Sequence, residues 1–203
     1  MLVGVAGPAR AGKGEAANAL VYSNYGFLEY SFAAPMRQFV INLLGLKSLA
    51  ELDQIKDKPH PLLKGKTPRY ALQTLGTEWG RNTVSDSLWV DVCLDRAMRT
   101  QHAVISDVRF NNEAQAIVDN GGFIIHVTRP GTQIAESTHA SEAGIDQKYI
   151  SYNVVNDGTV ADYHRKILVI VQRELLRQQA ESNLKRFAEI GLIPGGGWER
   201  SEA

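Results

Sequence analysis

The N-terminal segment constrains this chain most, because an apolar run leads directly into a loop that is bracketed by glycines and ends in lysine. Residues 2–6 read Leu-Val-Gly-Val-Ala, and residues 7–13 read Gly-Pro-Ala-Arg-Ala-Gly-Lys. Glycines let a backbone curve until its N–H groups converge on an anion, and the lysine reaches the outer phosphates. Residues 16–21 continue as a helix, whose N-terminus adds partial positive charge. The segment therefore predicts a phosphate-binding loop between a strand and a helix.

The residues after the lysine depart from the usual pattern of such loops. A P-loop places serine or threonine directly after its lysine, and that hydroxyl binds Mg²⁺. Here Gly14 and Glu15 follow Lys13. We therefore expect the metal ion to be held by other groups.

Composition and charge limit the classes of partner. The chain has 203 residues, enough for one domain with a full core, and its 22 Lys and Arg balance its 22 Asp and Glu. Without net charge there is no overall field to hold a long polyanion, so we expect no nucleic-acid partner. No segment has the pattern of a membrane span or a secretory signal. Since the single cysteine, Cys93, cannot form an intramolecular disulfide, we expect a cytoplasmic protein without a membrane partner.

Strand-like runs alternate with helical stretches along the chain, which predicts a parallel α/β sheet. The five runs are residues 2–6, 27–32, 103–106, 123–127 and 152–155. Ligands of such sheets bind beyond the carboxyl ends of the strands. Asp107 and Arg109 follow the third run, and Arg129 follows the fourth. We therefore expect these side chains to lie at one charged site beside the glycine loop.

The intervals between the strands predict the domain organisation. Residues 1–178 are expected to form one domain, in which residues 34–100 are an all-helical insertion that binds substrate and residues 130–150 are a lid. A last helix is predicted over residues 159–178. Residues 179–203 are expected to form a loose tail that packs on the domain or on a second subunit in a homodimer.

One helix of the insertion carries an unusual polar stripe. Thr67 and Pro68 form its start, since threonine caps a helix and proline tolerates the first helical position. Helical spacing then predicts an apolar stripe of Leu72, Leu75 and Trp79, and a second stripe of Arg69, Gln73, Gly76, Thr77 and Gly80. Glycine inside a helix costs about 1 kcal/mol relative to alanine. Either a ligand approaches the backbone there or another helix packs closely, and the nearby Arg69 and Arg81 favour a ligand.

Further motifs extend this pattern into a family resemblance. In chain order they are Gly7 to Lys13, Phe32 to Arg37, Leu72 to Glu78, Trp89-Val90, Asp107 to Glu113, His126 to Pro130, His139 to Glu142 and Asn156 to Thr159. Their order and spacing resemble the deoxynucleoside monophosphate kinases of the bacteriophage type, which are relatives of adenylate kinase among the P-loop kinases. The resemblance covers residues 1 to about 175. The chain departs from the family pattern at Glu15, where members often have threonine.

The resemblance implies a P-loop kinase fold and the transfer of the γ-phosphate of ATP to a (deoxy)nucleoside 5′-monophosphate, with Mg²⁺. The residues implied to bind ATP are Gly7, Arg10, Gly12, Lys13, Gly14, Glu15, Ala16, Asn156, Asp157 and Gly158. The predicted catalytic residues are Lys13, Arg10, Arg109 and Arg129. No general base is expected, because the acceptor phosphate is ionised at neutral pH and transfer depends on cations and N–H dipoles.

The acceptor monophosphate is implied to bind between the insertion and the end of the third strand. The residues expected to bind it are Arg37, Lys58, Arg69, Gln73, Gly76, Thr77, Trp89, Asp107, Arg109 and Glu113. For Lys58 a surface salt bridge is an equal alternative, and Trp89 either stacks on the nucleoside or belongs to the core. Asp107 either holds Mg²⁺ through water or orients Arg109.

Other nucleotide-binding functions are less consistent with the sequence. A GTPase would carry a guanine-reading Asn-Lys-x-Asp segment, which the sequence lacks. A nucleic-acid motor would end a strand in Asp-Glu, whereas Val108 follows Asp107. The remaining alternatives are a P-loop kinase of another small metabolite, such as dephospho-coenzyme A, and a non-catalytic nucleotide-binding module.

Overall fold

One parallel sheet of five strands forms the centre of the described part of the molecule. The structure is a computed structural model and describes residues 1–131, 144–190 and 192. The strands are β1 (Leu2–Ala6), β2 (Phe27–Tyr30), β3 (His102–Val108), β4 (Phe123–Thr128) and β5 (Tyr152–Val155). They pair in the order β2-β3-β1-β4-β5, and each pairing is parallel. The predicted five-stranded parallel sheet is confirmed.

Helices connect these strands and cover both faces of the sheet. The α-helices are α1 (Lys13–Val21), α2 (Ala34–Leu44), α3 (Leu49–Ile55), α4 (Pro68–Gln73), α5 (Leu88–Ala97), α6 (Asn111–Asp119) and α7 (Val160–Glu189). A π-helix covers Thr74–Val84, and 3₁₀ turns cover Pro61–Leu63 and Gln147–Tyr149. The described residues contain no helix that is both long enough and apolar enough to span a membrane.

Strand β1 lies at the middle of the sheet. All five of its residues are buried, and Val3 pairs with Val104 of β3 on one side and with Phe123 of β4 on the other. A parallel strand that is covered on both faces carries a continuous apolar run instead of an alternating one. This burial explains the apolar sequence before the glycine loop.

The helices divide between the two faces in a way that locates a binding crevice. Leu20 of α1 and Ile167 of α7 belong to the core on one face, whereas Leu94 of α5 and Ile117 of α6 belong to the core on the other. The chain leaves β1 and β3 on opposite faces, although these two strands are neighbours. A switch point of this kind opens a crevice at the carboxyl ends of the strands, where ligands of open α/β sheets bind.

The segment from residue 34 to residue 100 is helical, as predicted, and has a small core of its own. Val40, Ile41 and Leu44 of α2 pack with Leu52 of α3 in a cluster separate from the two cores of the sheet. Cys93 of α5 is buried, and burial raises the pKa of its thiol to about 12. A thiol in this state is a packing residue rather than a nucleophile.

The helix predicted to start at Thr67-Pro68 starts there but changes its winding. The Thr67 hydroxyl accepts a hydrogen bond from the Tyr70 N–H (3.1 Å), which confirms the cap. After Gln73 the chain becomes a π-helix, whose bonds join residues five apart. The predicted spacing of side chains therefore fails beyond this point, and Trp79, expected in the apolar stripe, is 49% exposed.

Helix α7 begins one residue after the predicted position and does not end at Gln178 as expected, because it continues to Glu189. Thr159 and Asp162 form a capping box at its start. Beyond residue 178 the sequence consists mostly of good helix formers, and Arg177 pairs with Glu181 one turn later (2.8 Å). The first part of the expected tail is therefore helix. Residues 132–143 of the predicted lid lie outside the described residues.

Candidate functional site

The glycine loop, residues 7–13, curves over the carboxyl end of β1. Lys13 Nζ donates to the carbonyl oxygens of Gly7 (2.7 Å) and Pro8 (2.9 Å), which holds the ammonium inside the curve. The Ala16 N–H is bonded to the Gly12 oxygen (2.9 Å), whereas the N–H groups of the first turn of a helix have no acceptor within that helix. Lysine and free N–H groups thus converge at one place, which suits an anion.

Two glycines are required by the shape of this loop. Gly7 (φ 140°) and Gly12 (φ 109°) have conformations that other residues rarely adopt. A Cβ on Gly7 would lie 2.1 Å from the Val127 carbonyl oxygen, and one on Gly12 would lie 2.6 Å from Asn156 Nδ2. Around Gly14, in contrast, a Cβ would meet nothing within 4 Å. The glycines predicted to bracket the loop are thus needed for its geometry, and the third is not.

The β5–α7 corner holds the loop from the side. Asn156 Nδ2 donates to the Ala11 oxygen (3.1 Å), and the Tyr163 hydroxyl donates to the Gly12 oxygen (3.1 Å). Tyr163 is almost completely buried, and burial raises the pKa of its hydroxyl. The corner whose residues the resemblance implies to bind ATP therefore contacts the glycine loop directly.

The other residues predicted to bind ATP differ in their exposure and in their partners. Arg10 is exposed and adopts φ 63°, and Arg129 is exposed at the end of β4. Asp157 pairs with Lys166 (2.6 Å), and this hydrogen bond lowers the pKa of its carboxyl. Gly158 lies beside the Asp162 side chain at the start of α7.

A cavity of about 270 Å³ lies on the other side of the crevice, between the helical segment and the end of β3. We call it the arginine cavity. Of the residues predicted to bind the monophosphate, those that line it are Arg37, Arg69, Gln73, Gly76, Thr77, Trp89, Asp107, Arg109 and Glu113. Lys58 does not line it, whereas Lys56 does. Residues of the helical segment and of the end of β3, which are far apart in the sequence, therefore line one cavity.

The cations of the arginine cavity differ in their partners. Lys56 pairs with Asp53 (2.8 Å), and Arg69 pairs with Asp57. Among the described residues, Arg37 and Arg109 have no carboxylate within salt-bridge distance. A half-buried guanidinium such as that of Arg37 is stabilised by an anion that can accept two hydrogen bonds.

Asp107 fixes the segment between β2 and the N-terminus of α2. Its carboxylate accepts hydrogen bonds from the Ser31 hydroxyl (2.7 Å), the Phe32 N–H (2.9 Å) and the Ala33 N–H (3.1 Å). These bonds end β2 before residues 31 and 32, which were predicted as strand, and they use most of the acceptor capacity of a carboxylate. Asp107, which was expected either to hold Mg²⁺ through water or to orient Arg109, therefore positions the helix that carries Arg37.

Arg81, which was expected to favour a ligand at the polar stripe, was not among the residues expected to bind the monophosphate, although its side chain lines the arginine cavity. The guanidinium is bonded to Glu113 Oε1 (2.9 Å) and lies 4.2 Å from the centre of the Phe110 ring. Glu113, 3% exposed, accepts two further bonds at Oε2, from the N–H groups of Arg109 (2.8 Å) and Phe110 (3.1 Å). Burial raises the pKa of the Glu113 carboxyl to about 7, and the three hydrogen bonds oppose that shift. Its buried partner Glu113 is 32 residues away in sequence, so no local pattern indicates this pair.

The two glycines of the polar stripe, Gly76 and Gly80, have different surroundings. A Cβ on Gly80 would lie 2.4 Å from the Trp89 indole nitrogen, and one on Gly76 would lie 2.8 Å from Met36 Sδ. The Trp89 Nε1–H donates to the Gly76 oxygen (2.8 Å), and the indole is 6% exposed. The packing interpretation therefore accounts for Gly80, whereas Gly76 meets only the flexible end of Met36 and also lines the arginine cavity. Trp89 belongs to the core while one part of it faces that cavity.

Comparison with known proteins identifies the family of this chain. The family model described as deoxynucleotide monophosphate kinase matches residues 46–167, which is more than half of the chain. A putative deoxynucleotide monophosphate kinase of Acanthamoeba polyphaga mimivirus is 32% identical over 191 residues, covering 84% of this chain and 96% of the relative.

Two bacteriophage proteins match shorter parts. The deoxynucleoside-5′-monophosphate kinase of Escherichia phage T5 is 36% identical over 100 residues, covering 44% of this chain and 39% of that protein. The deoxynucleotide monophosphate kinase of Enterobacteria phage T4 is 31% identical over 104 residues, covering 49% of this chain and 43% of that protein. This chain belongs to the deoxynucleotide monophosphate kinase family.

Proposed function

We propose that this protein transfers the γ-phosphate of ATP to the 5′-phosphate of a deoxynucleoside monophosphate, giving ADP and the deoxynucleoside diphosphate. The observation that supports it most is the pair of anion sites at one crevice: the glycine loop with Lys13 at the end of β1, and the arginine cavity at the end of the neighbouring β3. Two phosphate groups held there lie on adjacent strand ends, which is the arrangement that direct transfer requires.

In this proposal the glycine loop holds the donor. The first-turn N–H groups of α1 and Lys13 Nζ bind the β- and γ-phosphate oxygens, and Arg10 and Arg129 add positive charge from the two sides of the loop. The β5–α7 corner, with Asn156, fixes the loop and borders the base. These groups act by position and charge, so none needs to form a covalent bond to the phosphoryl group.

The arginine cavity holds the acceptor. Arg37 and Arg109 bind the monophosphate, and Arg69 exchanges its contact with Asp57 for the nucleotide. Phe32, Met36 and Leu72 supply the apolar surface for the nucleoside. No general base is needed, because a phosphate monoester is already anionic at neutral pH.

The residues that the structure describes fit Mg²⁺ as part of the nucleotide complex. Gly14 offers no hydroxyl, and the Asp107 carboxylate is occupied by three donors. The part of the chain that the structure describes has no group of three His, Cys, Asp or Glu side chains able to hold a metal ion. Magnesium commonly keeps several waters and binds through substrate phosphates, so we propose Mg·ATP as the donor substrate, in which the metal ion neutralises phosphate charge.

The direct test is turnover with a panel of acceptors. The protein is incubated with Mg·ATP and each deoxyribo- and ribonucleoside monophosphate in turn, and both ADP and the new diphosphate are separated by chromatography. We expect ADP and diphosphate in equal amounts with at least one deoxynucleotide, and a loss of the order of 10² to 10³ in rate for Lys13→Ala.

A matched control removes a lysine far from the crevice. Lys185→Ala changes an exposed residue of α7 and should leave the rate unchanged. ADP formation that needs no acceptor, or no reaction with any monophosphate, would contradict the proposal.

A further inference from the structure

Glu15 places a carboxylate in the first turn of α1, beside the N–H groups of the glycine loop. An acid is favourable at a helix N-terminus by itself, but it is unfavourable next to a bound triphosphate, because like charges repel. The described structure shows how the side chain is directed. Glu15 Oε1 is 2.5 Å from His164 Nε2, and Glu15 Oε2 accepts from Asn18 Nδ2 (3.2 Å).

Both contacts direct the carboxylate along α1 and toward α7. Asn18 lies one turn further along α1, and His164 lies on α7, which packs against the side of α1. Because a carboxylate only accepts hydrogen bonds, His164 Nε2 carries the proton that joins them. The pair is partly exposed, with 29% of the His164 side chain and 37% of the Glu15 side chain accessible, so water and a nucleotide can both reach it.

We propose that His164 is a positioning residue of the ATP site, which holds the Glu15 carboxylate against α7 and so keeps a negative charge away from the phosphates of the donor. This inference rests on the proposed function, since it takes the glycine loop as the site of Mg·ATP. His164 lies in the same corner as Asn156 and Tyr163, which bind the Ala11 and Gly12 carbonyls. Those two contacts fix the loop itself, whereas the His164 contact fixes a charge beside it.

A double-substitution cycle separates this role from a purely structural one. Mg·ATP binding is measured by isothermal titration calorimetry for His164→Ala, Glu15→Gln and the double variant. We expect Kd to rise about five- to tenfold in His164→Ala, because the released carboxylate can turn toward the phosphates. Glu15→Gln alone should bind at least as tightly as the wild type, and the double variant should return to within about twofold of it.

A structural role would give the opposite pattern. If His164 only supports the packing of α7 on the loop, the double variant binds as weakly as His164→Ala or more weakly, and that result would overturn the inference. Arg165→Ala is the matched control, since it removes a cationic side chain from the adjacent, exposed position of α7. It should leave Kd unchanged, and a fivefold rise there would assign the effect to general charge instead. Thermal melting establishes that each variant is folded.

The readout is independent of turnover. If the wild type binds Mg·ATP and the predicted cycle appears but no monophosphate is phosphorylated, the proposed function fails and the inference holds. If deoxynucleotides are phosphorylated but the cycle is flat, the inference fails and the proposed function holds. In an active enzyme the KM for ATP should rise in His164→Ala while the KM for the monophosphate stays constant. Wild-type protein that binds no Mg·ATP would overturn both.

Discussion

The two sides of the crevice are built in different ways. The glycine loop comes from contiguous residues whose conformation is fixed by backbone geometry and by hydrogen bonds to Asn156 and Tyr163. The arginine cavity comes from residues spread between Phe32 and Glu113 on six helical segments and on β3, and it depends on side chains. The first is a rigid backbone site and the second is a side-chain site.

This difference has consequences for what each side tolerates. The glycine loop loses its shape when a Cβ is added at Gly7 or Gly12, and it uses few side chains, those of Lys13, Asn156 and Tyr163. The arginine cavity binds through its side chains, so it loses affinity with each charged group that is removed. Substitutions on the two sides should therefore change different kinetic constants.

The largest effect is expected for Gly7→Ala. The new Cβ would lie 2.1 Å from a backbone oxygen at φ 140°, so the loop must change shape and its N–H groups lose their convergence. We expect kcat/KM for ATP to fall by the order of 10² to 10³, measured by initial rates at saturating monophosphate. Gly14→Ala is the control, because its Cβ meets nothing within 4 Å. An unchanged KM for ATP in Gly7→Ala would mean that the backbone does not form the donor site.

Asp107→Ala is expected to cost stability as well as acceptor binding. It leaves the Ser31 hydroxyl and the N–H groups of Phe32 and Ala33 without their acceptor. We expect the free energy of unfolding to fall by about 3 kcal/mol in urea denaturation. Asp95→Ala, which breaks an exposed pair with Arg99, should change it by less than about 0.5 kcal/mol. Equal stabilities of the two variants would argue that Asp107 has no positioning role.

Arg37→Ala tests the side-chain site. Losing one charged donor to the monophosphate should raise the KM for that substrate about thirtyfold and leave the KM for ATP unchanged. Arg37→Lys should recover only part of the loss, because an ammonium group lacks the two-pronged geometry of guanidinium. Equal rises in both KM values would show that the two sides are not separate.

The smallest effect concerns the buried carboxyl of the arginine cavity. Burial raises the pKa of Glu113 to about 7 from an ordinary value of 4.5, so the folded state binds more protons than the unfolded state between these values. The free energy of unfolding should therefore fall as pH rises through this window, by about 2 kcal/mol between pH 5.5 and 7.5. Denaturation of Glu113→Gln should lack this slope, and the exposed Glu181→Gln should keep it. A slope that persists in Glu113→Gln would assign it to another group.

The contrast between the two sides also explains how much the sequence could predict. The alternation of strands and helices, the parallel sheet and the glycine loop could be predicted, because patterns of adjacent residues determine them. The arginine cavity was anticipated through a resemblance and through helical spacing, which held for Arg69 and Gln73. The π-helix then changed the spacing, so the exposed position of Trp79 could not be predicted from a period of 3.6 residues.

The roles of Asp107 and Glu15 could not be predicted from local patterns, because both depend on contacts between distant parts of the sequence. Asp107 looked like a metal-binding acid at the end of a strand, but its partners are 74 to 76 residues away in sequence and appear only when β2 and β3 pair. Glu15 had no role that a local pattern indicated, and its contact with His164 forms only when α7 packs beside α1. Long-range contacts assign a role to each of these residues, and no spacing rule contains them.

The most direct test of the account is the binding of one molecule that occupies both sides. An adenosine joined to a deoxynucleoside through five phosphates carries a donor and an acceptor portion, and its binding is measured by calorimetry together with competition against ATP and against the monophosphate. We predict one site per chain, affinity above that of either substrate alone, and competition with both, with affinity lost in both Lys13→Ala and Arg37→Ala. Competition with ATP alone, or an unchanged affinity in Arg37→Ala, would contradict the claim that the glycine loop and the arginine cavity form one two-substrate site.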